Sequence, residues 1–409
     1  MEIAHVLSAL WRNRAGAVLI AIQTAIALTV LVNVAYVIEQ RIEAFRRPSG
    51  IDVNNIFWVE SRGFSADYEH ASVVREDLAY LNSIPGVLAA AAISPLPQTY
   101  TGYALYFSAA AGAGAASQSA FAYLVTERGL DALGLKIISG RAAAADAVSP
   151  AAENVPQALG RWAPEVVITK ALAQKVFPAG GALGKTLYTG LINKSAKIVG
   201  IVDSMQVAPV TGSFAEDVQR VVFVPAVPPG PGALYLIRTV SGRRSEVMAE
   251  VERKLGDMQP SRFISRMEAL EKTRAHTLGP MRSSIVILIV VASLVIIVTA
   301  IGIFGLGAFT VANRTKQIGT RRAIGARRMH ILRYFLLENW LITSAGCIIG
   351  CVGALALGVQ LSDMLELSRV PLYYLAGGVV FVWIVGLCAV LVPARRAAAI
   401  PPAVATRSV

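Results

Sequence analysis

The chain has 409 residues, of which 55% are hydrophobic and 16% charged, with a formal net charge of +12 and a mean hydropathy of +0.57. This composition excludes a wholly water-soluble protein and describes a membrane protein with a substantial polar part. The positive balance needs no nucleic-acid partner, because most of it falls in short segments beside apolar runs.

The first apolar run, Ala17 to Ile38, follows His5, Arg12 and Arg14. Its 22 residues exceed a signal-peptide core of about 7 to 15, and no clear small-x-small cleavage pattern precedes Glu39. It reads as an uncleaved anchor with residues 1–16 on the cytoplasmic side. Gln23, Thr24 and Asn33 interrupt it and are the residues available to line a narrow polar path.

Residues 39–283 are long enough for one large domain or two small ones. Glu39 to Arg47 continues the helical spacing of the first run through Ile38, Ile42 and Phe45, and Met267 to Arg282 leads into the next run, so the two segments are expected to form a helical stalk. Strands are predicted over Ile56 to Glu60, Ala120 to Val125, Val166 to Thr169, Ala196 to Val202, Arg220 to Val224 and Leu234 to Thr239. Helical patterns cover Ala66 to Asn82, Lys170 to Val176 and Ser245 to Leu255, and the interleaving suggests an α+β domain. Ala109 to Ser117 and Ala142 to Ala152 are rich in small residues and read as surface loops or subdomain connections. Gly181-Ala-Leu-Gly-Lys-Thr186 imitates the end of a phosphate-binding loop, but Ala179 stands where that motif needs glycine, and the order is helix, loop, strand.

Three further apolar runs follow, Ser284 to Val311, Phe335 to Leu361 and Leu372 to Val392, each long enough to cross a hydrocarbon core of about 30 Å. Residues 312–334 between the first two hold seven Lys/Arg and no acid. Such a loop stays on the cytoplasmic side. The short loop 362–371 then lies outside, and 393–409, with Arg395, Arg396 and Arg407, lies inside. The inside segments carry 12 basic residues against Glu2 alone, whereas residues 40–282 carry 25 basic and 21 acidic. Glu338, near the start of its run, is placed where its carboxylate stays hydrated.

Cys347, Cys351 and Cys388 all fall in the last two runs and read as small packing residues. The histidines, His5, His70, His276 and His330, are scattered without ligand spacing. No catalytic, metal or cofactor-binding residues are expected in this chain. The fold class is therefore an α-helical membrane protein with four transmembrane helices, plus a large α+β extracytoplasmic domain inserted between spans one and two.

The basic segment reads Arg314-x-x-Gln317-Ile318-Gly319-x-Arg321-Arg322-Ala323-x-Gly325-Ala326, then Ile331-x-x-x-Phe335-x-Leu337-Glu338. It resembles the loop between spans two and three of MacB/FtsX-type ABC transporter permeases, the mechanotransmission class. Pro393-Ala-Arg-Arg-Ala-Ala398 with Pro401 and Pro402 is similar to that family's ending, which places an FtsX-like region at about 284–402. Leu133 to Arg141 and Val166 to Val202, including Leu183-Gly184-Lys185, resemble parts of a MacB-like periplasmic core. The family usually has Glu where this chain has Gln317, so an ion pair from that position is not carried over.

The resemblance implies a non-catalytic permease of the bacterial inner membrane with both termini cytoplasmic. A separate cytoplasmic ABC ATPase dimer would hold ATP and Mg, since no cytosolic segment here is large enough to be one. It also implies a second permease copy, identical or related, and leaves room for a periplasmic adaptor or outer-membrane component. The coupling residues it suggests are Arg314, Gln317, Ile318, Gly319, Arg321, Arg322, Ala323, Gly325, Ala326, Ile331 and Glu338. In that picture Ile318, Ile324 and Ile331 fill a groove on the ATPase while Arg321, Arg322, Arg327 and Arg328 meet its acids. Two alternatives stand beside it. The loop alone fits a basic helix on anionic lipid, although Gly319 and Gly325 would each weaken such a helix by about 1 kcal/mol relative to alanine. The chain as a whole also fits an anchored sensor or scaffold whose outer domain binds a ligand or envelope partner. Efflux and lipoprotein extraction are both compatible cargo roles.

Overall fold

The apolar periodicity of the chain resolves into nine helices and eleven strands among the described residues. In order they are α1 (Arg14–Arg46), β1 (Ile56–Gly63), α2 (His70–Ser83), β2 (Val87–Ser94), β3 (Tyr103–Ser108), β4 (Gln118–Val125) and α3 (Gly129–Leu133). Next come β5 (Ile137–Gly140), β6 (Glu165–Thr169), α4 (Lys170–Val176), β7 (Thr186–Thr189), β8 (Lys194–Val202), β9 (Val221–Pro225), β10 (Gly232–Thr239) and α5 (Arg244–Lys254). The chain continues through β11 (Arg262–Ala269), α6 (Leu270–Asn313), α7 (Thr315–Ala323), α8 (Arg328–Leu365) and α9 (Leu372–Ala399). This computed structural model describes residues 14–401 except 66–67, 100–101, 113–114, 151, 153, 155–156, 159–161, 190–193, 209–216 and 366–368. Expectations resting on Glu2, His5, Arg12, Pro402 and Arg407 lie outside the described residues. The chain divides into two units, one formed by Met1–Glu43 with Met281–Val409 and the other by Ala44–Pro280.

In the first unit, α1, α6, α8 and α9 are long and apolar enough to cross a membrane. With 44 residues, α6 spans about 66 Å, well beyond a hydrocarbon core of about 30 Å. Its Val286, Ile287, Leu294 and Ile301 are exposed, the surface expected of a helix facing lipid. Helices α1 and α8 approach through Gly346, Gly350 and Gly353. A Cβ on Gly346 would lie 2.6 Å from the Ala21 carbonyl oxygen, and one on Gly350 would lie 2.9 Å from that of Ala25. Small residues at this spacing let two backbones meet. Cys347 packs beside them with Leu28, Val32, Ala354, Leu375 and Val382, as a small core residue.

Three polar residues of α1 bond neighbouring helices, whereas Thr24 is buried with its hydroxyl unpartnered among the described residues. The Gln23 amide donates to the Val298 carbonyl at 2.9 Å, Thr29 Oγ1 to Gly350 at 3.1 Å, and Asn33 Nδ2 to Ala354 at 3.1 Å. Of Gln23, Thr24 and Asn33, the residues available to line a polar path, Gln23 and Asn33 instead stitch helices together, and the Thr24 side chain is fully buried.

The second unit begins from a four-stranded antiparallel sheet, β11-β1-β10-β2, with α2 and α5 on one face. Strand alternation divides its residues between two cores. Phe57, Val59, Tyr235 and Ile237 meet Val74, Leu81, Val247 and Val251 of the helices, whereas Ile56, Trp58 and Leu236 face the opposite side with Leu130 and Leu133 of α3. The order β1-α2-β2 and β10-α5-β11 is a split βαβ arrangement. Residues 95–231 are inserted into it. They close a ring in which β4, β3, β7, β8, β6 and β9 pair successively and β9 returns parallel to β4. Closure removes free edges from those strands. In sequence, Ala109 to Ser117 lies between β3 and β4, and Ala142 to Ala152 between β5 and β6.

Met267 to Ala269, expected as the start of a helix, belongs to β11, which pairs with β1 from Phe57↔Ala269 to Gly63↔Arg262. The strand then passes into α6 without a linker. Leu270 is fully buried, and the Trp58 indole N–H donates to Thr273 Oγ1 at 2.7 Å, which donates to Glu268 at 2.8 Å. Glu268 also pairs with Arg266 at 3.1 Å and Lys272 at 3.5 Å. Beneath α2, the fully buried Asp77 accepts from Arg262 and from the Tyr235 hydroxyl. Burial and the Asp77 charge push the Tyr235 phenol well above its ordinary value, so it remains a donor.

Candidate functional site

The basic segment folds as α7, a tight turn and the first turns of α8. Arg314 precedes α7, and its Nη1 donates to both carboxylate oxygens of Glu338 at 3.0 Å. The side chains are 16% and 7% exposed, so Glu338 is buried and paired rather than hydrated as expected. A carboxylate taken from water needs such a partner, because desolvation costs several kcal/mol.

One face of α7 turns inward. Ile318 meets Ile331 and Phe335 of α8 and Ala394, Ala397 and Ala398 of α9, and Gly319 is buried beside it. Arg322 lies one turn beyond Ile318 on the same face. Its Nη1 donates to the Ile400 carbonyl at 2.5 Å and to Ala398 at 3.3 Å, satisfying oxygens left unpaired at the end of α9. Arg321 points elsewhere, with its guanidinium over the Tyr334 ring at 5.3 Å.

The turn after α7 explains one of the two glycines. Gly325 has φ +102°, its N–H bonds Arg322 O at 3.1 Å, and the Ala326 N–H bonds Arg321 O at 3.0 Å. This paired closure is a Schellman cap, which needs a left-handed residue at that position. It leaves Ile324 at the apex, 82% exposed, with Met329 62% exposed on the first turn of α8. Gln317, Arg321, Ala323, Arg327 and Arg328 are exposed around them, and Ala326 is half-buried. Among the described residues no acid pairs with Arg321, Arg327 or Arg328.

The structure therefore separates the expected site residues into two sets. Arg314, Ile318, Gly319, Arg322, Ile331 and Glu338 come together inside the chain, whereas Gln317, Arg321, Ala323 and Gly325 face outward with Ile324 and Ala326 is half-buried in the turn. The picture of three isoleucines filling a partner's groove is corrected, because Ile318 and Ile331 already fill this chain's own. Sequence reasoning assigned no contact to Phe335, Ala394, Ala397 or Ala398. The i, i+4 pair Ile331/Phe335 and the i, i+3, i+4 alanines were the available signal. The phosphate-loop imitation is a turn: Gly180, Gly181 and Gly184 all have positive φ, and Lys185 folds back to the Gly180 carbonyl at 3.2 Å before β7 begins.

Two family models match the chain. Residues 289–402 match the FtsX-like permease C-terminal family, and residues 15–255, more than half the chain, match the MacB-like periplasmic core domain. The chain belongs to the MacB/FtsX-type ABC permease family. The macrolide export ATP-binding/permease protein MacB of Wolinella succinogenes is 28% identical over 262 residues, 60% of this chain and 39% of that protein. MacB of Marinobacter nauticus is 29% identical over 258 residues, 59% of this chain and 38% of that protein. This MacB/FtsX-type chain thus matches about two fifths of the length of those relatives. The periplasmic region of MacB from Actinobacillus actinomycetemcomitans aligns with 57% of this chain and 97% of its own, at 15% identity and a TM-score of 0.34.

Proposed function

We propose that this permease receives work from a separate ABC ATPase through the basic loop and passes it to the inserted domain, for efflux or export across the envelope. The observation that supports this reading is the form of the loop. A capped turn presents Ile324 and Met329 inside a rim of Arg321, Arg327 and Arg328. An apolar apex with surrounding guanidinium groups fits a groove edged by acids. In this reading the loop and both termini are cytoplasmic, the inserted domain is periplasmic, and ATP and Mg bind the partner. Two permease copies, identical or related, would face the two ATPase subunits, with an adaptor outside. The relatives are named as macrolide export proteins, which supports an export direction, and the cargo class is part of the proposal.

Affinity capture of the tagged full chain after mild crosslinking in native membranes tests it. An ABC ATPase identified with the wild-type chain, and reduced at least about tenfold by Ile324→Asp, is the expected outcome, since burying an unpaired charge at an interface costs more than about 1.4 kcal/mol. Equal recovery with Ile324→Asp, or no ATPase with either chain, refutes the docking and favours the scaffold reading.

A further inference from the structure

Arg322 differs from the other cations of the loop. Arg321, Arg327 and Arg328 are exposed, whereas Arg322 is half-buried and reaches across 76 residues of sequence to the end of α9. The last carbonyls of a helix lack partners and carry partial negative charge, so a guanidinium there forms charge-assisted bonds. The helix end it holds has a weakness of its own. Pro393 lies inside α9 and cannot donate to the carbonyl one turn earlier, so the residues after it are less firmly tied to the rest of the helix. Those residues, Ala394, Ala397 and Ala398, instead pack against Ile318, Ile331 and Phe335.

We propose that Arg322 is a positioning residue whose cation locks α7 onto the carbonyl end of α9. The loop and the adjoining ends of α8 and α9 then form one cap. A push at Ile324 is delivered to α9 as well as to α6 and α8, the helices that the loop joins in sequence. The source of that push rests on the docking reading, whereas the lock itself does not.

The test uses the full chain in lipid nanodiscs, with Cys347, Cys351 and Cys388 replaced by alanine and spin labels at Thr320→Cys and Arg396→Cys, both exposed sites. The wild-type Arg322 background should give a narrow label-to-label distance distribution. Arg322→Met keeps the apolar stem but has no donor, and should broaden it at least about twofold; Arg322→Lys restores a cation and should narrow it again. A methionine variant as narrow as the arginine chain overturns the proposal, as does a lysine variant as broad as the methionine one. Arg322→Gln serves if the methionine variant does not fold, with broadening expected and an unchanged width overturning the lock. The distances are read without ATPase, so failure to capture an ATPase with the wild-type chain defeats the docking reading alone.

Discussion

Removing the Glu338 charge should destabilise the membrane unit strongly, and the geometry indicates by how much. The carboxylate accepts two 3.0 Å bonds from Arg314 and is 7% exposed, while Arg314 is 16% exposed. Glu338→Gln leaves the guanidinium in place without its counter-charge. Breaking a buried pair from one side costs about 3 to 5 kcal/mol, and the residual exposure of Arg314 favours the lower end, about 3 kcal/mol. Arg314→Gln should cost a similar amount. Arg314→Met combined with Glu338→Leu removes both charges and should lie within about 1 kcal/mol of the wild type, because no ion is then left buried alone. Equilibrium unfolding by dodecyl sulfate titration in mixed micelles supplies the energies, and a double-mutant cycle isolates the coupling. A coupling energy below about 0.5 kcal/mol, the size expected of an exposed pair, would refute the claim that this contact clamps α7 to α8.

Gly325→Ala should lower stability by about 1 to 2 kcal/mol through backbone strain alone, since φ is +102° and a Cβ there meets open space; a midpoint unchanged in the same titration would contradict the capped turn. Gly346→Val should separate α1 from α8, where even a Cβ would lie 2.6 Å from the Ala21 carbonyl, at a cost of about 1 to 3 kcal/mol. Cysteine crosslinking between the two helices reports it, and undiminished crosslinking would exclude that contact. In the inserted domain, a hydrogen bond from Arg141 holds the Glu165 carboxyl below its usual value. A depressed folded value means that the contact stabilises above the unfolded carboxylate range and is lost as pH falls through the folded value. Glu165→Gln should therefore flatten the acid side of the Tm profile below about pH 4.3, and a curve parallel to the wild type would argue against the linkage.

Much of this architecture was legible because its periodicities are long or clean. Lys170 to Val176 coincides with α4, and the alternating run Leu234 to Thr239 lies within β10. The missed strand β2 is Val-Leu-Ala-Ala-Ala-Ala-Ile-Ser, whose alanines have little strand preference; pairing with β10 and burial between two cores decide its conformation. In β11, Arg, Met and Glu resemble a helix start until β1 supplies a partner strand. At the basic loop, charge revealed that the segment was special but not which of its faces was used. Ile318 and Arg322 turn inward because the alanine face and open carbonyls of α9 await them, and local spacing carries no trace of a contact that far along the chain.

The join between β11 and α6 leaves the first turn of the helix little freedom to move against the sheet. A flexible linker would absorb rotation or axial travel, but here Ala269 is still paired to Phe57 when Leu270 begins the helix. With Trp58 bonded to Thr273 across the corner, any twist reaching this turn of α6 becomes shear between β11 and β1.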